Sequence, residues 1–204
     1  MNYQKINKQS LEECAEIAAS SFADYAYFSN YVPDRKRRIR FLRELMKTEL
    51  SVNQDQANLL MASDEQGIAA VAMLCSPTYH KPSDAAYLRA GFWRVFLAGG
   101  IKTVNEWNAM DSKAGKPCHA VKDAWYLSLL TVAPDRQGQG IGSAMLHDCI
   151  IPFVRERDGH TLTLFTNSEI NRRFYAQNGF EEFDETSFAY KGHQMGSWSF
   201  RVNL

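Results

Sequence analysis

The sequence predicts a single mixed α/β domain. Three observations carry that expectation. At 204 residues and 45% hydrophobic composition, the chain can core one domain with a sizeable insertion, whereas two full domains are disfavoured. The first strands come as a hairpin, and the later strands alternate with helices. No stretch is repetitive, low in complexity or linker-like.

Local patterns set the order of elements. Asn2–Ile6 reads as a short strand. Ser10 is expected to cap the following helix, with Glu13 at capping-box spacing, and Leu11, Ala15, Ala18 and Phe22 form its apolar face. Ala23–Asp34 is aromatic and punctuated by turn residues. From Asp34 to Leu50, Ile39, Phe41, Leu42, Leu45, Met46 and Leu50 recur at helical spacing. Ala57–Pro77 reads as a hairpin whose turn, Asp64–Gly67, ends on a glycine. Ser83–Lys113 is helical in pattern with an interruption at Gly99-Gly100, and Ala114–Asp123 reads as a loop. Ala124–Val132 is a strong apolar strand, followed by a helix from about Ile141 that Pro152 should kink or end. His160–Thr166 is the next strand, and Ser168–Gly179 a helix closed by Asn178-Gly179. Two final strands lie in Phe180–Tyr190 and Ser197–Leu204.

Composition narrows the function classes. Lys plus Arg and Asp plus Glu are 23 each, so no net charge recommends nucleic acid or an anionic membrane as partner. No apolar stretch has the length of a membrane span, and the first residues lack the apolar core of a signal peptide, so a cytoplasmic protein is expected. Cys14, Cys75, Cys118 and Cys149 have no zinc or redox spacing and read as reduced thiols.

The most informative stretch is Arg136–Gly142, "RQGQGIG", between the apolar strand and the next helix. The first N–H groups of a helix lack internal partners, and glycines let an anion approach them closely. A Walker A loop fails, because no Lys-Ser/Thr follows Gly140. A dinucleotide fingerprint is half met by Gly138 and Gly140, but "APDR" intervenes after the strand and the next strand ends in "TNS" rather than an acid. A third pattern fits in full: Val132-Ala-Pro134-Asp-Arg-Gln137-Gly-Gln-Gly140-Ile-Gly142. One helix and one strand later comes Asn171-Arg-Arg-Phe174-Tyr175-Ala-Gln-Asn-Gly179-Phe180.

These two linked elements resemble the acyl-CoA motif and the "N…FY…GF" element of the GNAT N-acetyltransferases. The stretch His119–Leu146 and the earlier Phe22–Arg38 are similar to the branch that includes puromycin N-acetyltransferase, with a long helical insert before a "WYL" strand. The specific match covers roughly Ala120–Phe180. The resemblance implies the α/β GNAT acyltransferase fold over residues 1–204, a central mixed, mostly antiparallel sheet flanked by helices, with the insert at about 83–113 and a CoA-binding core at about 124–180. It implies acetyl-CoA as donor without a metal, and an amine acceptor, for which a small molecule is expected. A non-catalytic acyl-CoA sensor and an enzyme acting on a protein amine are the alternatives. No nucleic acid or membrane partner is expected, and either a monomer or a homodimer is compatible with the sequence.

Residue roles follow from the same resemblance. The backbone of Gln137, Gly138, Gln139, Gly140, Ile141, Gly142 and Ser143 is the expected pyrophosphate cradle, and the backbone of Leu130 and Val132 is expected to hold the pantetheine arm like an added strand. Asn171 should reach the pantetheine amides, and Ser168 is either a lesser contact or a helix cap. Tyr175 is the expected general acid toward the thiolate, a slightly uphill transfer from a phenol near ~10 to a thiol near ~8.5. The base is open. The central strand has no carboxylate, so His119, Asp123, Glu185, His193 or a water chain remain. The aromatics of Phe22–Tyr31 suit either a pocket or a core, and the basic run Asp34–Arg43 either a solvated face or a phosphate contact.

Overall fold

The computed structural model describes residues 1–204. The hydrophobic patterns are resolved into a seven-stranded sheet of order β1-β2-β3-β4-β5-β7-β6, in which every neighbouring pair is antiparallel except β4 and β5. The strands are β1 (Asn2–Lys5), β2 (Asn58–Asp64), β3 (Gly67–Cys75), β4 (Trp125–Val132), β5 (Thr161–Thr166), β6 (Glu181–Tyr190) and β7 (His193–Asn203). The β2–β3 hairpin turns at Gly67, whose φ of +106° requires glycine.

Period-two alternation sends successive side chains to two cores. On one face Leu59, Met61, Val71, Met73 and Leu129 pack under α1 (Leu11–Phe22), α2 (Ala26–Ser29), α3 (Arg35–Val52), α5 (Trp93–Gly99) and α6 (Ile101–His119). On the other, Leu60, Ala72, Leu74, Leu127, Leu162 and Leu164 pack under α7 (Ile141–Ala144), α8 (Ile151–Arg155) and α9 (Glu169–Gln177). The short α4 (Asp84–Ala90) is capped by Ser83 and packs on α3.

Four local expectations are corrected. Ser10 makes no side-chain cap; Asn7 Oδ1 accepts from the N–H groups of Gln9 (2.9 Å) and Ser10 (3.0 Å), so the turn before α1 is capped three residues earlier. Ala114–His119 is not loop but the last turns of α6, running through Pro117. Ala114 and Cys118 are buried there, and Cys118 Sγ donates to the Leu164 carbonyl at 3.1 Å, so tertiary packing outweighs the proline. Pro152 does not end its helix; a π-turn at Met145–Ile150 joins α7 to α8 and absorbs the disruption. The last hairpin turns tightly at Lys191-Gly192, and β7 starts at His193 rather than Ser197.

The basic run is neither solvated nor free for phosphate along its whole length. Arg38 is buried and donates to the carbonyls of Ala23, Val32 (2.8 Å) and Pro33 (2.9 Å), while Arg37 donates to those of Ala98 and Gly99 (both 2.8 Å). These guanidiniums tie α3 to the aromatic segment and to the insert. All four cysteines are buried and free.

Candidate active site

The site is built on a defect in the sheet. β4 pairs with β5 only at Trp125↔Leu162 and Tyr126↔Thr163, and from Leu127 onward the two strands have parted. On its other edge β4 stays paired with β3 to its end, and Ala133 N–H donates to Ala69 O at 2.9 Å. Backbone groups alternate sides along a strand, so Leu130 and Val132 turn their N–H and C=O into the split. The register shift between Met73 and Leu74 leaves Ser128 as an extra residue where the strands part.

Helix α1 and its connection to α2 straddle this opening. Ser21 Oγ donates to Val132 O at 2.7 Å on the β4 edge. Tyr25 reaches the β5 edge, where its hydroxyl accepts from Asn167 N–H (2.9 Å) and shares a hydrogen bond with Thr166 Oγ1 (3.1 Å). Neither residue is marked by a motif; only the folded chain brings them to the split.

The glycine turn closes the upper end. Gly138 and Gly140 stand at φ +74° and +77°, and a Cβ on either would meet nothing within 4 Å. They are therefore required by the left-handed backbone and face open space. Gly142 is different: a Cβ there would lie 3.2 Å from Phe174 Cζ, so this glycine serves close helix packing. The first bond of α7 is Ala144 N–H to Gly140 O (2.9 Å), which leaves the N–H groups of Ile141, Gly142 and Ser143 without helical partners. The helical run from Ile141 to Arg155 directs its positive end at the same space. Arg136 is bonded to both carboxylate oxygens of Asp64 (3.1 and 2.5 Å) and fixes the turn to the hairpin. The side chains of Gln137 and Gln139 fold back on the carbonyls of Val132 (3.2 Å) and Asp135 (3.3 Å), so the turn offers main chain rather than side chains.

α9 supplies the opposite wall. Ser168 caps it, accepting from Asn171 N–H at 3.4 Å. Asn171 and Tyr175 share one face, and Asn171 stands beside the Tyr25 hydroxyl. The Tyr175 ring is packed among Phe174, Phe180 and Phe200 and is only 7% exposed. Its hydroxyl has no hydrogen-bond partner, and burial, with Tyr25 nearby, pushes its pKa up. The phenol is thus held protonated at the split.

The base candidates are scattered. His119 sits in the last turn of α6 with its ring 4.5 Å from that of Tyr126, and burial lowers its pKa. Asp123 is exposed in the following turn beside Lys122. Glu185 is bound to Arg172 (3.4 Å) on the outer hairpin, and His193 lies exposed at that hairpin's tip, so neither is brought to the split.

Two further carboxylates, which no motif marks, lie on the α6 side of the sheet. Asp111 on α6 accepts from Tyr27 Oη at 2.8 Å. Glu49 on α3 accepts from Tyr87 Oη (3.1 Å) and Asn53 Nδ2 (3.3 Å). Burial raises the Asp111 carboxyl, and burial is also the main cause that pushes Glu49 up to about 7. The sequence does carry a signal for Asp111. It stands in the stripe Val104, Trp107, Asp111, Ala114, Cys118, whose other members are all buried.

A family model described as an acetyltransferase (GNAT) domain matches residues 55–182. Among solved structures, a Corynebacterium glutamicum chain described as histone acetyltransferase HPA2 and related acetyltransferase is 19% identical. The match covers 97% of this chain and 94% of that one, with a TM-score of 0.64. A ribosomal-protein-alanine N-acetyltransferase from Brucella melitensis is 15% identical over 100% of both chains, with a TM-score of 0.59. A candidate phosphinothricin N-acetyltransferase is 13% identical over 100% of this chain and 98% of that one, with a TM-score of 0.57. At these identities the likeness is one of fold, and the acceptors in the three descriptions differ.

Proposed function

The chain belongs to the GNAT acetyltransferase family, and from that premise we propose that it moves the acetyl group of acetyl-CoA directly to the primary amine of a small molecule. The observation that carries this reading is the parted β4–β5 edge lying beside the glycine turn. An extended amide-bearing arm fits an open strand edge, and a pyrophosphate fits a turn of free N–H groups over which a Cβ would meet nothing. Acetyl-CoA supplies an activated acyl carbon on a thioester. The main chain from Gln137 to Ser143 binds its phosphates, and Leu130 and Val132 hold its arm. Asn171 flanks that arm. Tyr175 keeps a proton at the split and delivers it to sulfur as the thiolate departs.

The cavity on the α6 side of the split, of about 290 Å3 and lined by Cys75, Tyr79, Tyr126 and His119 among others, is of a size for a small acceptor. The similarity of Phe22–Arg38 and His119–Leu146 to the puromycin N-acetyltransferase branch agrees with that size class without naming the acceptor.

Calorimetric titration with acetyl-CoA, followed by an amine screen read as thiol release, tests the reading. Binding and thiol release with a small amine are the expected result. Absence of acetyl-CoA binding would overturn it.

A further inference from the structure

Glu49 and Asp111 are half-buried on the α6 side of the sheet. A carboxylate partly withdrawn from water is stabilised by a cation or by a full set of donors. Neither has an ion-pair partner within 4.0 Å. Each has hydrogen bonds on one oxygen only, so Asp111 Oδ2 and Glu49 Oε1 are free. The nearest cation, Lys81, is exposed on the segment after β3, with its ammonium 5.8 Å from the Tyr87 ring and within electrostatic reach of both acids.

The surroundings connect this pair to the reacting centre. A cavity of 290 Å3 is lined by Tyr79, Cys75, Tyr126, Cys118 and His119. Tyr79 donates to Asn53 Oδ1 (2.7 Å), and Asn53 Nδ2 donates to Glu49 Oε2 (3.3 Å). Tyr126 is the last β4 residue paired with β5, so it stands where the strands part. Asp111 stands two turns before the cavity-lining Cys118 on the same stripe of α6, and both Asp111 and Tyr175 are within electrostatic reach of Tyr126. One buried donor is left unpartnered here, the indole Nε1 of Trp107, one turn before Asp111 and packed against Tyr27.

We propose that Asp111, backed by Glu49, is the anion that receives the acceptor's ammonium group, and that the acceptor is a small amine, cationic in water, whose apolar or aromatic body lies against the cavity-lining Tyr79 and Tyr126. This rests on the acetyltransferase reading and deepens it. Aromatic faces beside a carboxylate suit an ammonium ion and give a neutral isostere nothing equivalent. In the reaction Asp111 takes one proton from R–NH3+. The freed lone pair forms the N–C bond to the acetyl carbon, and the C–S bond breaks with its electron pair on sulfur. Sulfur takes the Tyr175 proton, the second nitrogen proton restores Tyr175, and Asp111 releases its own to solvent.

The test uses the full chain with acetyl-CoA and the probes benzylamine, tyramine and 1,4-diaminobutane, with benzyl alcohol as the neutral isostere. Thermal shift and thiol release are read for wild type, Asp111→Asn and Tyr27→Phe. Wild type should be stabilised by at least one amine and not by the alcohol. Asp111→Asn should lose about 10- to 100-fold in kcat/KM, the scale of one charged contact, with acetyl-CoA affinity unchanged. Tyr27→Phe keeps the carboxylate but frees it of its donor. It should lose several-fold, and it decides the matter if the asparagine variant fails to fold. Unchanged amine turnover in Asp111→Asn overturns the assignment. So does a wild type that binds acetyl-CoA yet responds to no cationic probe, and in both cases the donor site stands. Failure to bind acetyl-CoA overturns the acetyltransferase reading itself.

Discussion

Gly140 separates a turn kept for architecture from a turn kept for an anion. Its φ is +77° and a Cβ on it meets nothing within 4 Å, so substitution brings backbone strain without a clash. Alanine in the left-handed region costs about 1–2 kcal/mol, and asparagine or aspartate less. In a domain of this size each kcal/mol is about 2–4 °C, so Gly140→Ala should melt roughly 2–8 °C below wild type, with Gly140→Asp between them. Affinity for acetyl-CoA should follow another order. Alanine intrudes a methyl where the phosphate approaches; aspartate adds a negative charge there. A like-charge contact at about 4 Å costs from about 1 kcal/mol in water to about 4 kcal/mol near a protein surface, or roughly 5- to 1,000-fold in Kd. Stability should therefore run Gly, Asp, Ala, and binding Gly, Ala, Asp. Differential scanning calorimetry and isothermal titration on the three proteins supply both orders. If binding tracks stability, with the aspartate variant binding better than the alanine one, the turn is architectural and the cradle is wrong.

Three further outcomes follow from individual contacts. Tyr175→Phe should lower kcat about 100-fold or more while leaving the melting temperature within about 1 °C, because the hydroxyl makes no hydrogen bond; thiol release and calorimetry on one preparation check both halves. Arg38→Gln removes a buried guanidinium that serves three carbonyls, and should destabilise by roughly 3 kcal/mol in urea unfolding without altering acetyl-CoA affinity. Glu49 has its folded pKa raised from 4.5 to about 7 by burial, with Asp111 reinforcing this and Tyr87 and Lys81 opposing it. The folded state then holds more protons than the unfolded one between those values, so this stability is present below about 4.5 and is lost as pH rises through about 7. Urea unfolding between pH 5 and pH 8 should show that decline in wild type and a flatter profile in Glu49→Gln; parallel profiles would remove Glu49 as its source.

The proposed donor half of the site is legible in the sequence because it is made of backbone. Main chain that must lie open to an anion leaves glycines in the sequence, and Gly138 and Gly140 are visible at once. Gly142 belongs to the same pattern but serves packing against Phe174, a distinction that only coordinates supply. The strand segments were legible from apolar runs and turn signals, whereas their order in the sheet and the parting of β4 from β5 were not. Whether a strand has a neighbour on its second edge depends on what the rest of the chain places there, and Leu127–Val132 would read the same in a closed sheet. The α6 boundary was missed for a related reason: Pro117 is a strong local signal, but the burial of Ala114 and Cys118 against β5 and β7 is stronger.

The proposed acceptor half is made of side chains from distant elements, and that makes it hard to read. Tyr27, Glu49, Tyr87, Asp111 and Tyr126 come from α2, α3, α4, α6 and β4 and share no spacing. What the sequence offers is a polar residue in an apolar helical stripe, and for a helix surface that is ordinary. It becomes informative only once the stripe faces a core with no cation in place, because an unpaired carboxylate there works against folding. A purely structural position would be relieved by asparagine or glutamine, which keep the Tyr27 and Tyr87 hydrogen bonds without the charge. Asp111→Asn and Glu49→Gln should therefore raise stability near neutral pH while Asp111→Asn lowers amine turnover. That opposition is what a charge retained for a ligand produces, and a structural carboxylate does not produce it.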